Sequence, residues 1–507
     1  MAFWSSLPLQ FVLLSLVAFF FKRYRDRRAA NPQGLPYPSG PTPIPIFGNY
    51  FQLPKVAPWE TYEQWGKQYG EVVHMENLSE HSIIINSAKV ANDLLEKRSN
   101  KYSDRPPLLM LNMMGWDFDL GFIGYGPRWR EHRRLFHQEF RQAAAQRYMH
   151  TTLGKAHELI RRTLESPDHY LDHLRHFGGA NILAIVYDYH VKDASDYYVK
   201  LVEKATVMMA ESQLPGASAV DYFPVLKYLP GIRNYAKEGL RLTVEMCDYP
   251  FNYVKDRMSR GEGQECMASK LIERLQASGN TNPEDWDTIR CVSGAAYAAG
   301  ADPIVAALGV FFVAMVLHPD VQKKAQEEID RVVGDDRLPN YDDRESLPYV
   351  EALYREVLRW RPALPLSISH ATTEEDVYEG FFIPKGTTVL MNLWAIHRDE
   401  RTYPEATKFK PERYLNPDGT VKDNYPTSAF GGGRRICPGR YFADTGMWAV
   451  IALTLSSFNF SQSKDGTGHN MPGRYGDGMI SHTLPFKYNM GVRSEKHAKL
   501  IEMTANA

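Results

Sequence analysis

Cysteine is scarce in this chain: only Cys247, Cys266, Cys291 and Cys437 occur among 507 residues, and no two form a CxxC pair. That spacing excludes a disulfide framework as the main staple and gives no support to a zinc knuckle. An excess of one charge is also lacking. Lys plus Arg number 59 against 60 Asp plus Glu, a net charge of -1. The basic surplus typical of nucleic-acid binding is therefore missing, although a local basic patch could still serve a partner. There is no internal repeat, no long low-complexity linker and no GxxxxGK[ST] phosphate loop. Without an interior boundary, the length does not divide into typical domains. The composition, 44% apolar and 23% charged, is that of an ordinary globular body.

What is present begins at the N-terminus. Residues 1–21, MAFWSSLPLQFVLLSLVAFFF, carry no charged side chain. A helix of about 20 residues crosses roughly 30 Å, the thickness of a hydrocarbon core. KRYRDRR follows at 22–28, so the positive-inside rule puts the body on the cytoplasmic side. The basic residues come after the apolar run, and no small-residue cleavage site precedes them. A retained anchor is thus expected in place of a cleaved signal. Pro36, Pro38, Pro41, Pro43 and Pro45 then stiffen a connector. The expected layout is an anchor at 1–21, a basic flank and proline-rich hinge at 22–49, and a catalytic body at 50–507.

In the body, 59–69 reads as helix ending at Gly70, 72–86 as short strands, 88–98 as helix and 129–158 as a long charged helix. Residues 285–317 are strongly apolar, with Asp302 the one charge after Arg290. An acid at mid-membrane is costly, so this segment is expected to be a core helix instead of a second span. Pro319 should end it, with helices at 321–333 and 347–360. Residues 377–389 should form hairpins around Gly380 and 384–386, and 440–455 should be helical. The fold class is predominantly α with small β-sheets.

The sharpest local signal is FGGGRRICPG at 430–439. Three glycines lead to two arginines, then Cys437, Pro438 and Gly439, with a helix due near Arg440. A sulfur near a helix N-terminus meets N–H groups that favour negative charge. Gly431, Gly432 and Gly433 allow the backbone to pass close to a flat ligand. Elsewhere, Glu356 and Arg359 stand three apart on one helical face, which by itself implies only an intrahelical ion pair.

These motifs resemble the cytochrome P450 family, and specifically fungal microsomal monooxygenases of specialised metabolism. Phe430, Gly433, Arg435, Cys437 and Gly439 meet its FxxGxRxCxG signature, Glu356 and Arg359 its ExxR, and Trp129 and Arg133 its WxxxR. The resemblance runs from anchor to C-terminal strands, and its motifs occur in the family order. It implies the cytochrome P450 fold and haem b held by an axial Cys437 thiolate, the family's established ligation. It also implies that Arg413, in FKPERY at 409–414, joins Glu356 and Arg359 in a buried support. Arg133, His370 and Arg435 would meet the haem propionates, with Trp129 beside Arg133.

Ala299, Gly300, Ala301 and Asp302 match the start of the family's AGxD/E-T motif. The resemblance assigns Gly300 to close passage beside the oxygen side and Asp302 to proton supply. The usual threonine is Pro303, which has no hydroxyl and removes the bond to the Ala299 carbonyl. The implied activity is insertion of one oxygen atom from O2 into a small lipophilic substrate, by hydroxylation or epoxidation. Isomerase or dehydratase chemistry without O2, or a non-enzymatic haem sensor or carrier, are the alternatives.

No flavin or nucleotide-binding module is legible in the sequence. Electrons would therefore come from NADPH through cytochrome P450 reductase, with cytochrome b5 as a further donor. The implied location is the endoplasmic reticulum membrane, single-pass. Residues 108–122, 295–303 and 364–369 are the expected substrate walls, with Trp116 and Phe118 as candidate lining and 479–481 as a weaker stretch. A terpenoid, polyketide, aromatic compound or xenobiotic fits such walls.

Overall fold

The computed structural model describes residues 21, 22, 25, 28–78, 80–193, 196–213, 219–279, 281–463 and 473–506. The expected membrane anchor, apart from Phe21, and four of the seven residues of the basic flank lie outside the described residues.

The helices that frame the site are α1 (Pro127–Phe140), α2 (Met149–Glu165), α3 (Tyr170–Tyr187), α4 (Pro230–Ser259), α5 (Pro283–Gly300), α6 (Asp302–Leu317), α7 (Pro319–Val332), α8 (Pro348–Trp360) and α9 (Arg440–Ser457). Among the described residues the strands form three small sheets. β1 (Val72–Asn77), β2 (Glu80–Ile85), β3 (His370–Ala371) and β6 (Thr388–Met391) make one, in the order β1-β2-β6-β3. β4 (Asp376–Tyr378) pairs with β5 (Phe381–Ile383), and β7 (Phe458–Gln462) with β8 (Tyr488–Val492). The predominantly helical class with small sheets is as the sequence predicts.

The core explains the apolar run. In α6 the residues 304–316 are all buried, Leu308, Phe311, Phe312 and Val313 among them. An all-round apolar helix is at home in a protein interior. α6 packs against α3, α8 and α9, whose buried faces join it in one cluster. A smaller core under the sheet joins Ile83 and Ile85 to Val389 and Met391.

Two expectations change. The helix expected over 129–158 breaks at Arg141, whose extended backbone (φ -62°, ψ 159°) turns the chain before α2. The break lets Phe140 reach Phe442 of α9, ring centroids 5.9 Å apart. The hairpin expected over 377–389 contains only β4 and β5. β6 leaves it to pair parallel with β2, a long-range partner that local alternation cannot reveal. The apolar helix does stop before Pro319, at Leu317, and Pro319 occupies the first turn of α7, where its missing N–H costs nothing.

Candidate functional site

Cys437 lies between a tight glycine loop and α9. A 3-10 turn, Thr427–Phe430, ends at Gly431 (φ +83°). Gly433 (φ +64°) opens a second, Gly433–Arg435. Gly433 is glycine for two reasons. Its φ is left-handed, and a Cβ there would stand 2.0 Å from the Leu95 carbonyl oxygen. Its N–H donates to Glu96 Oε1 at 2.6 Å. The Cys437 N–H donates to the Phe430 carbonyl at 2.9 Å, closing the loop. Burial pushes the Cys437 thiol up, while the Gly439 N–H, Arg133 and Arg440 draw it back toward thiolate.

A cavity opens above the sulfur, enclosing about 1570 Å³ of non-protein space, its mouth included. Cys437, Phe430, Gly431 and Gly439 form its floor, and Ala295, Ala296, Ala299, Gly300 and Pro303 of the α5–α6 junction its opposite wall. Trp129, Arg133, His370 and Arg435 all reach it. Arg435 donates to the carbonyls of Ser103 (2.7 Å), Leu120 (3.2 Å) and Ile123 (2.7 Å), with its guanidinium carbon 4.7 Å from the Trp129 ring centroid. Burial draws Arg435 down to about 10, so it stays charged. His370 Nδ1 donates to the Tyr102 carbonyl at 2.8 Å, leaving Nε2 for another partner. Burial, with Arg105 and Arg435 near, holds this imidazole neutral.

Two groups on α1 that line the cavity are unsatisfied among the described residues. Trp129 Nε1 is a buried donor without an acceptor, and Arg133 makes no hydrogen bond or ion pair. Such orphans mark a missing acceptor. A flat, dianionic iron macrocycle fits this set: one thiol for the metal, with an orphan indole and two cations at the rim. No group of three or more His, Cys, Asp or Glu side chains among the described residues could hold a metal ion unaided.

The ExxR pair and Arg413 meet. Arg359 donates to both oxygens of Glu356 at 2.8 and 2.7 Å, and Arg413 Nε donates to Glu356 Oε1 at 3.1 Å. Glu356 and Arg359 are wholly buried. Arg359 also donates to the carbonyls of His397 and Ala406 at 2.9 and 2.7 Å. His397 Nε2 lies 2.9 Å from Ser428 Oγ, in the turn that ends at Phe430. The network thus reaches the thiol loop through one histidine.

The long apolar helix is split. α5 stops at Gly300, Ala301 belongs to neither helix although its dihedrals (φ -93°, ψ -59°) stay in the right-handed helical region, and Pro303 sits in the first turn of α6. A Cβ on Gly300 would meet Ile182 Cδ1 at 2.5 Å, so this glycine admits α3. Asp302 is outside the cavity lining. Its Oδ1 lies 3.1 Å from His482 Nε2 in the C-terminal turn, and both side chains are partly exposed.

Trp116 and Phe118 are buried and stacked 5.8 Å apart and do not line the cavity. Leu120, Leu364, Ser367 and Ile368 do, while 479–481 does not. Three charged lining residues were not singled out in the sequence: Arg105, Arg361 and Asp119, the last inside the expected 108–122 wall. Arg105 donates to the carbonyls of Gly121, Ile368 and Ser369. Asp119 accepts the Gly121 N–H at 2.6 Å. For Asp119 the signal was there, a lone acid between Phe118 and Leu120. For Arg105 there was none.

The cytochrome P450 family model matches residues 38–490. The chain is 38% identical over 499 residues to cytochrome P450 monooxygenase 208 of Postia placenta, covering 96% of this chain and 95% of that protein. It is 39% identical over 453 residues to cytochrome P450 monooxygenase COX2 of Coprinopsis cinerea, covering 87% and 86%. It is 35% identical over 509 residues to tryptamine 4-monooxygenase of Psilocybe cyanescens, covering 97% and 99%. A match of this extent leaves no part of the site outside the aligned region, and the chain belongs to the cytochrome P450 family.

Proposed function

We propose that this chain is a membrane-bound haem-thiolate monooxygenase that places one oxygen atom from O2 on a small lipophilic substrate, by hydroxylation or epoxidation. The observation that carries this reading is the Cys437 thiol in the floor of a cavity whose rim holds an unpaired arginine and an orphan indole. Bound haem b would supply the redox iron for oxygen activation, fed by NADPH through cytochrome P450 reductase, with cytochrome b5 as a further donor.

The chain's own residues would do the rest. Cys437 presents its sulfur to the metal, and the Gly439 N–H moderates the charge on that sulfur. Arg133 and Trp129 Nε1 receive one carboxylate edge, with Arg435 and His370 beside them. Ala295, Ala296 and Ala299 keep the opposite wall shallow, leaving room for substrate. Leu364 and Ile368 exclude water from it. Asp302 pairs with His482 at the solvent-facing end of the α5–α6 break, and the Ala299 carbonyl, freed by Pro303, is available to a water.

Cys437→Ala tests the reading. The wild-type protein, reduced under carbon monoxide, should give the haem-thiolate Soret band, and the variant should lose it. A wild-type spectrum typical of nitrogen or oxygen ligation would overturn the proposal.

A second reading is favoured by one observation: Pro303 lines the cavity where the family usually offers a hydroxyl. Isomerase or dehydratase chemistry on an already oxygenated substrate needs no such group. Incorporation of ¹⁸O from labelled O2 into product supports the monooxygenase; turnover without NADPH and O2 supports the isomerase. Either activity would exclude a mere haem carrier.

A cytoplasmic body on the endoplasmic reticulum membrane accords with the apolar 1–21 segment and its basic flank. Arg434, exposed beside the thiol loop, offers charge to a reductase. The apolar lining accommodates a terpenoid, polyketide, aromatic or xenobiotic skeleton.

A further inference from the structure

Asp119 is the one carboxylate in the cavity lining among the described residues. It is buried, only 7% exposed, and stands between two walls. On one side, the preceding Phe118 ring lies 3.5 Å from where a Cβ on Gly294 of α5 would be, one residue before Ala295. On the other, Ile368 Cδ1 lies 3.4 Å from the Cβ position of Gly121. Asp119 therefore sits at the junction of the α5 wall and the 364–368 wall.

Its two oxygens differ. Oδ1 receives the Gly121 N–H at 2.6 Å, while Oδ2 has no hydrogen bond among the described residues. Arg105 contributes nearby positive charge, but its donors go to the carbonyls of Gly121, Ile368 and Ser369. Capping the turn at Gly121 needs only one oxygen, and asparagine or serine would serve. A second, unsatisfied oxygen on a buried acid is costly unless a donor arrives. Burial accordingly pushes the Asp119 carboxyl up to about 6.

We infer that Asp119 is the polar anchor of the substrate space, its Oδ2 accepting a hydrogen bond from a hydroxyl group on an otherwise apolar substrate. The inference rests on the monooxygenase reading and narrows its substrate class to lipophilic alcohols or phenols. A neutral donor is favoured over an ammonium because Arg105, Arg133, Arg361 and Arg435 share the lining with this single acid. Even with two haem carboxylates in place the cavity is not anionic. A ketone or ether of the same skeleton has only acceptors to set against Oδ2, and an acceptor facing a carboxylate is repelled.

The test uses the full-length, haem-loaded protein and four probes on one decalin skeleton: the alcohol, its methyl ether, the ketone and the primary amine. Affinity is read by equilibrium dialysis. The wild type should bind the alcohol about tenfold or more tightly than the ketone and the ether, and more tightly than the amine. In Asp119→Asn the amide oxygen keeps the Gly121 N–H and the NH2 group faces the cavity. The order should then invert, with ketone above alcohol. Equal affinity of the wild type for alcohol and ketone, tighter binding of the amine, or no binding of any probe would overturn the inference, and so would an unchanged order in Asp119→Asn. Because the wild-type comparison stands alone, poor folding of the variant cannot rescue the idea. The carbon monoxide spectrum of the same sample separates the two levels. A lost thiolate band defeats the monooxygenase reading, whereas an intact band without alcohol preference defeats only this inference.

Discussion

The Glu356 carboxylate is fully buried, and Arg359 Nε and Nη2, Arg413 Nε and the Lys410 N–H all donate to it. Taking away its charge would strand two buried guanidinium groups, and breaking such a pair costs about 3–5 kcal/mol. Glu356→Gln should lose about that much in a denaturant titration and retain less haem on purification; a loss under 1 kcal/mol would show that the network is not a structural support. Asp119 works the other way. Folded, it holds its proton up to about pH 6, whereas an unfolded aspartate releases it near pH 3.9. The native state binds the extra proton between those values, so this group's contribution to stability falls as pH rises from about 4 to about 6. Asp119→Asn removes that slope. The variant should match the wild type near pH 4 and be more stable at pH 7, by about 1–3 kcal/mol. A difference that does not change between those pH values would refute a raised carboxyl.

The α5–α6 break is the element most open to test. Pro303 cannot donate to the Ala299 carbonyl, and a Cβ on Gly178 of α3 would lie 3.0 Å from the Ala301 carbonyl oxygen, so α3 packs tightly against the break. Pro303→Thr returns both an N–H and a hydroxyl. It should leave haem content unchanged and alter the amount of product formed per NADPH consumed; an unchanged ratio and yield would remove any special role for the break. Proline and glycine edges made many elements legible in sequence. Gly70 ends the helix Pro58–Tyr69, Pro303 marks the split helix, and the α9 start follows Gly439. What stayed hidden depends on partners distant in sequence. Arg141 breaks a helical pattern so that Phe140 can pack on α9, β6 finds β2 some 300 residues away, and Asp302 meets His482. Within the site, the thiol loop and its supports carried recognisable motifs. Arg105 is bound only to backbone carbonyls, which any sequence supplies.

Across the whole molecule, large apolar side chains are left exposed unevenly. Ile44, Ile46, Phe47, Phe51 and Val56 come from the end of the proline stretch and the segment after it, and Phe223, Val225, Tyr228 and Leu229 from the segment leading into α4. The two segments meet through the Tyr50 and Tyr222 rings, 6.1 Å apart. Phe51, Val56, Val225 and Tyr228 are each at least 66% exposed, and apolar side chains gathered on one face mark a contact surface. A lipid surface would cover this face on the same side of the chain as the proline-rich hinge. The body should therefore hold to membranes by more than its N-terminus. A protein lacking residues 1–28 should still co-sediment with phosphatidylcholine vesicles. Adding Phe51→Ser, Val225→Ser and Tyr228→Ser should release it, because each buried aromatic or valine is worth about 1.5–3 kcal/mol and the loss multiplies across three sites. If the shortened protein stays in the supernatant without those substitutions, this apolar face serves another contact, and any membrane attachment rests on the proposed N-terminal anchor.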